Sequence, residues 1–214
     1  MIHPNLKDDR LAEFTGLMLG DGSIGKYTCK KGDGTTNTQR SVCITLSSEE
    51  KQYADYIDNL VEELFGIKLN ERVKKDENVR ELRTFRIDIF EFLTKDLELE
   101  CSPKWERAKI PEIFLDKNLE KRVLRGYFDT DGSVVLTDNN GTLYPRLEMK
   151  ISPSPMQNQF ESILERNGFK ICSYDIGKGK VRIQMNGKTQ LKKWMKEIGF
   201  SNRKHLEKAE RALA

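Results

Sequence analysis

At 214 residues the chain is long enough for one large domain or two small ones, each with its own core. One residue in three is charged, no stretch approaches the roughly 18 apolar residues of a membrane helix, and residues 1–10 hold no apolar signal core, so the expectation is a soluble protein with no membrane partner, in the cytoplasm or in an organelle of a eukaryotic host. Two histidines and four cysteines without C-x-x-C spacing exclude histidine or cysteine metal cages and Ser-His-Asp hydrolysis, while a net charge of +3 does not by itself specify a nucleic-acid partner.

In chain order, Asp8 or Asp9 caps a helix through Leu19, with Gly22 as its stop. Residues 23–31 and 39–46 read as a long hairpin around Gly32-Asp33-Gly34. Ser47 with Glu50 makes a capping box for a helix to about Phe65, with Tyr53, Ile57, Leu60, Val61 and Leu64 on one face. A hairpin at 67–75 and 79–88 and a short helix at 89–97 complete the first half. After the connection from Cys101 to Pro111, a helix from about Lys117 begins the same order again. A hairpin spans 133–152 with Asn139-Asn140-Gly141 at its turn, and a helix follows from Ser154 to about Asn167. A second hairpin at 169–186 turns at Gly177-Lys178-Gly179, with helices near 188–197 and 203–213. The fold class is therefore α+β: two pseudo-symmetric α-β-β-α-β-β-α halves, residues 1–115 and 116–214.

The repeat is sharpest at the first helix of each half. Phe14-Thr15-Gly16-Leu17-Met18-Leu19-Gly20-Asp21-Gly22-Ser23 returns as Leu124-Arg125-Gly126-Tyr127-Phe128-Asp129-Thr130-Asp131-Gly132-Ser133. Gly16 and Gly20, and Gly126 and Thr130, put small residues four apart, a spacing that lets two helix backbones approach closely. An aspartate at a helix C-terminus faces the negative end of the helix dipole, at a cost of a few tenths to ~1 kcal/mol. Divalent cations held by Asp21, Asp131 and the carbonyls of Gly20 and Thr130 remove that cost, and an all-oxygen donor set favours magnesium or calcium.

Charge is segregated. The four hairpins (23–46, 68–86, 133–152, 170–188) hold 18 Lys or Arg against 8 Asp or Glu, while the remainder holds 19 against 26. Basic strands on a nearly neutral chain are the footprint of a polyanion.

Together the paired motifs and the repeated element order resemble the LAGLIDADG homing endonucleases in their monomeric, two-motif form. The first copy departs from the name-giving pattern, with Leu19 where an acid is common and Asp129 keeping it in the second. The resemblance implies a site-specific double-strand DNA endonuclease in which Asp21 and Asp131 bind divalent metals, commonly magnesium with manganese able to substitute, and activate water. It also implies roles beside the acids for Lys104 in Ser102-Pro103-Lys104-Trp105 and Lys204 in Asn202-Arg203-Lys204-His205, and for the matched pair Thr45 and Lys150. Two saddle-shaped sheets are then expected in the major groove, where arginine reads guanine and Asn or Gln reads adenine. Alternation puts Lys68, Asn70, Arg72 and Lys74 on one face, with Arg80 and Arg86 from the partner strand, and Lys26, Lys31 and Arg40 as further candidates. In the second half the faces are Tyr144, Arg146, Glu148 and Lys150, and Lys180, Arg182 and Gln184.

Two rivals are weighed. Glu148-Met149-Lys150 below Asp131 matches an E-x-K nuclease arrangement, but leaves Asp21-Gly22 unexplained. An RNA maturase acting on intron RNA, or a non-catalytic DNA-binding protein, uses the same fold, and both retained acids weigh against it. The chain shows neither an N-terminal nucleophile nor a terminal His-Asn, so the expectation is a free-standing, intron-encoded enzyme.

Overall fold

The computed structural model describes residues 2–30, 32 and 34–214, leaving Lys31 and its expected DNA contact outside the described residues. By packing, the chain forms two compact units, one of Met1–Asn5 and Asp21–Lys104 and the other of Leu6–Gly20 and Trp105–Ala214. Among the described residues each unit carries one four-stranded antiparallel sheet. No helix among them is long and apolar enough to cross a membrane.

In the first unit, β1 (Gly22–Lys30), β2 (Thr36–Ser47), β4 (Val79–Thr84) and β3 (Asn70–Lys74) lie side by side in the order β1-β2-β4-β3. Helix α2 (Lys51–Phe65) buries the five apolar residues of its predicted stripe. The expected Ser47 cap is corrected: Ser47 ends β2 and α2 begins after Glu50, which is its N-cap and gives it no side-chain cap bond, although the Ser47 N–H does donate to Glu50 Oε2 at 3.3 Å. Helix α3 (Ile87–Glu91) continues into a wider π turn at Phe92–Asp96 and buries Ile89, Phe90, Phe92 and Leu93.

The second unit contains α1 (Asp9–Leu19), whose first turn is capped by Asp8. Its partner is α4 (Leu119–Asp131), followed by β5 (Gly132–Asn139), β6 (Thr142–Ile151), α5 (Pro155–Arg166), β7 (Ile171–Asp175), β8 (Val181–Asn186), α6 (Lys188–Glu197) and α7 (Arg203–Leu213). The sheet order, β5-β6-β8-β7, repeats that of the first unit. Asn140 and Gly141 turn the β5–β6 hairpin with φ of 51° and 81°, the left-handed pair that a two-residue turn requires.

The small residues do bring α1 and α4 together. A methyl group at Gly16 would collide with the Val123 carbonyl and sit 2.9 Å from the Tyr127 nitrogen, and one at Gly126 would collide with the Glu13 carbonyl. The two motif helices end differently. Helix α1 stops at Gly20, not Gly22, because ψ turns to −111° there, and Gly22 already belongs to β1. Helix α4 runs through Thr130 and Asp131, since Thr130 stays helical with its hydroxyl donating to the Tyr127 carbonyl at 2.9 Å.

Candidate functional site

Asp131 is the last residue of α4 and is exposed. Its Oδ2 lies 3.5 Å from the point where a Gly20 side chain would begin, so the α1–α4 seam sets this carboxylate against the end of α1. Asp21 follows Gly20 directly and is half-buried, with its carbonyl accepting the Thr45 N–H at 3.3 Å. Neither α1 nor α4 places a basic residue in its own last turn to meet the negative end of its dipole. Among the described residues no group of three or more His, Cys, Asp or Glu side chains forms a cage. Carboxylate and carbonyl oxygens are the donor type that hard divalent cations take.

The two lysines are anchored through different groups. Lys104 is half-buried, and its Nζ donates to the Gly22 carbonyl, one residue past Asp21, at 2.7 Å. Lys204 is the second residue of α7, and its N–H donates to the Asn202 side chain at 3.1 Å. Tyr127 on α4 donates from its hydroxyl to the Lys150 carbonyl at 3.2 Å, pinning β6 to the motif helix. Register equates Thr45 with Lys150, because Gly22 pairs with Ile44 and Gly132 with Met149.

Asp129 is 1% exposed, and burial pushes its carboxyl up to about 8. Hydrogen bonds from the Ser201 and Asn202 backbone, with Arg125, pull the other way, and Glu13 adds to the rise.

Register decides which residues lie on the sheet face away from the helices. In the first sheet the buried series Val42, Ile44 and Leu46 pairs with Thr84, Leu82 and Arg80. Arg80 is therefore on the helix side and buried, ion-paired with Glu71 and donating to the Ser48 carbonyl at 2.8 Å; its expected place beside Asn70 and Arg72 is corrected. Lys26 pairs with Arg40 on that same side, where Arg40 lies over the Phe90 ring at 5.8 Å. Lys68 precedes β3 and pairs with Asp58 and Glu62, while Arg86 follows β4 and pairs with Asp88, so neither sits on a strand face. Asn70, Arg72 and Lys74 do share the open face, together with Arg83, Glu81, Thr45, Gln39 and Tyr27. Arg83, Gln39 and Tyr27 went unread; the alternation of Val42, Ile44 and Leu46, carried across the pairing, marks them.

In the second sheet the expected face is present: Tyr144, Arg146, Glu148 and Lys150 lie beside Arg182 and Gln184, with Lys180 in the same alternation. Glu148 is buried between two guanidinium groups, Arg146 at 3.4 Å and Arg182 at 3.5 Å, which commits it to those partners. Tyr174, missed from sequence, stands opposite Arg182 and donates to Gln184 at 2.9 Å. The equally unread Trp105 is exposed on an open cleft of about 470 Å³ with Lys178 and Lys180.

Residues 118–199 match the family model of a LAGLIDADG-like domain. Among solved structures the chain is similar to the homing endonuclease I-DmoI (19% identity, TM-score 0.61, 89% of this chain and 95% of that one). It is also similar to the I-LtrWI LAGLIDADG homing endonuclease bound to target DNA (13%, TM-score 0.65, 98% and 90%). The chain thus carries a LAGLIDADG-like domain, and its two similar halves have the fold of the LAGLIDADG homing endonucleases. Curated relatives include a Methanocaldococcus jannaschii DNA polymerase (27% identity over 76% of this chain) and a Thermococcus kodakarensis replication factor C small subunit (26% over 94%). The chain spans only 9% and 21% of the length of these two relatives.

Proposed function

We propose that this protein is a monomeric, site-specific DNA endonuclease that hydrolyses both strands of a long, asymmetric target, each half from its own acid. The observation that carries the reading is the α1–α4 seam, which sets the end of one Asp-bearing helix against the Asp131 carboxylate of the other. Asp21 and Asp131, with the carbonyls of Gly20 and Thr130, would hold divalent cations, for which magnesium is proposed. Solved relatives support the class of cofactor and substrate: I-DmoI in complex with DNA and Mn, and I-SmaMI bound to uncleaved DNA with calcium. When bound, such ions lower the pKa of water and stabilise the leaving oxygen.

The remaining work belongs to side chains. Lys104 and Lys204 would stabilise the charge that develops on the phosphate, a contribution that is larger away from bulk water. Lys150 would assist in the second half, with Thr45 as its weaker counterpart. The open faces would supply phosphate contacts from Arg72, Lys74, Lys150 and Lys180 and base contacts from Arg182, Gln184 and Asn70. The matched sheets carry different residues at equivalent register, as with Glu81 and Arg182, which favours an asymmetric target.

The biological role proposed is homing of the intron that encodes the protein. Matches to short parts of long replication proteins favour a second host context, an insertion carried within a protein-coding gene. The DNA flanking the reading frame separates the two and, once joined, gives the candidate target. Purified protein with magnesium is expected to cut that joined sequence, and Asp21→Asn and Asp131→Asn are each expected to abolish double-strand cleavage while preserving binding. Failure of the wild type to cut, or retained double-strand cleavage in either variant, would overturn the reading. Magnesium-independent binding of intron RNA without DNA cutting would point to the maturase instead.

A further inference from the structure

The two halves fasten their post-helical lysines in different ways. In the first half, the Ser102 N–H bonds to the Ile24 carbonyl on β1 at 2.8 Å, and Lys104 reaches the Gly22 carbonyl with its own ammonium. In the second half the corresponding segment turns to the motif helix. The Ser201 N–H donates to Asp129 Oδ2 at 2.6 Å, and the Asn202 side chain donates to the Asp129 carbonyl at 3.0 Å. The same Asn202 side chain accepts the Lys204 N–H at 3.1 Å and so caps α7. Asn202 is 2% exposed, too deep to contact DNA directly. Ser201 adds a second fastening, its hydroxyl donating to Glu13 Oε1 at 2.6 Å. Leu19, the first-copy counterpart of Asp129, has no carboxylate to accept such a bond.

We infer that Asn202 is a positioning residue for Lys204: one amide joins the α4 backbone two residues before Asp131 to the first turn of α7, fixing where the lysine emerges. The inference rests on the proposed endonuclease activity and adds to it an asymmetry between the halves. Lys204 is fastened by its backbone to the Asn202 amide, whereas Lys104 is fastened to the Gly22 carbonyl by its own ammonium. Disturbing the amide should therefore affect the strand that Lys204 serves and leave the other strand alone.

The test follows each strand separately, with the joined flanking sequence end-labelled on one strand or the other and cleaved in magnesium. Asn202→Ala and Lys204→Ala are expected to slow the same strand at least ~10-fold, so that nicked product accumulates. Target affinity measured in calcium should stay within ~3-fold of wild type. The double variant should be no slower than the slower single one, because the two residues act through one group. Asn202→Ser, which keeps a capping hydroxyl but is too short to reach the Asp129 carbonyl, should show the same strand bias, and it serves if the alanine variant does not fold. Equal slowing of both strands, additive losses in the double variant, or wild-type rates in Asn202→Ser would overturn the inference while leaving the endonuclease reading intact. A wild-type protein that cuts neither strand would overturn both.

Discussion

Glu13 and Arg125, 112 residues apart in sequence, form an ion pair at the seam of α1 and α4, with Arg125 Nε donating to Glu13 Oε2 at 3.0 Å. The acid is 2% exposed and also accepts the Ser201 hydroxyl, so one carboxylate joins α1, α4 and the loop before α7. Removing one partner of such a pair leaves a charge with poor solvation, which costs far more than the intact pair contributes. Glu13→Ala is expected to lower stability by about 3 kcal/mol, read from urea denaturation, and Glu13→Leu with Arg125→Leu should recover most of that loss. A Glu13→Ala protein within ~0.5 kcal/mol of wild type would mean the pair is not held at the seam.

Gly16 and Gly126 give a prediction whose sign runs against helix propensity. Alanine inside a helix is ordinarily favoured over glycine by ~1 kcal/mol. Here the added methyl meets backbone carbonyl oxygens of the facing helix, which cannot rotate aside. Gly16→Ala and Gly126→Ala are each expected to destabilise by about 1–3 kcal/mol through overpacking. Gly32→Ala, where nothing lies within 4 Å, should stay within ~0.5 kcal/mol. Thermal melts of the three variants check the order.

Much of this architecture was legible because local signals agreed with one another. The stripe from Tyr53 to Leu64, the Asn140-Gly141 turn and the helix at 188–197 depend on neighbours in sequence, and each formed where expected. The second sheet's face was readable because Leu147, Met149 and Ile151 alternate without interruption and all are buried. The first sheet misled because its buried series ends in Arg80, whose charge is met by Glu71 on the adjacent strand. Pairing across strands is not visible in one strand's pattern, so a buried arginine read as an exposed one. The Asn202–Asp129 tie, spanning 73 residues, left no local mark either.

Asp129 should give the metal-free protein a distinct pH response. Its carboxyl titrates near 3.8 when unfolded and about 8 when folded, with burial as the main cause. Below pH 4 both states hold the proton and the group is neutral in the balance. Between pH 4 and 8 the unfolded state releases it first, so stability falls as pH rises, and above 8 the loss is complete. Asp129→Asn keeps an oxygen to accept the Ser201 N–H and carries no charge. Melting temperatures measured in chelator from pH 5 to 8.5 should therefore show a flatter profile for Asp129→Asn. A steeper decline in the variant would contradict the folded-state shift.

Arg80 and Arg83 are separated by two residues and should behave as different kinds of arginine. Arg83 stands opposite Asn70 on the open face, beside Cys43, with its side chain 38% exposed. On the proposed function it contacts DNA, so Arg83→Ala should weaken binding, and if the contact is to phosphate the slope of log K against log salt should shrink by about 1. Stability should change by less than ~0.5 kcal/mol, since its pairing with Glu81 at 3.2 Å is partly exposed. Arg80 is 7% exposed and bonds both Glu71 and the Ser48 carbonyl, which joins β3, β4 and the turn into α2. Arg80→Ala should destabilise by about 2–3 kcal/mol by leaving those acceptors unmet, with the salt slope of DNA binding unchanged at temperatures where the variant is folded. Fluorescence anisotropy across a salt series, paired with denaturation, reads both quantities on the same samples. A reduced salt slope in Arg80→Ala together with an unchanged slope and affinity in Arg83→Ala would mean that the binding face of this sheet is the opposite one.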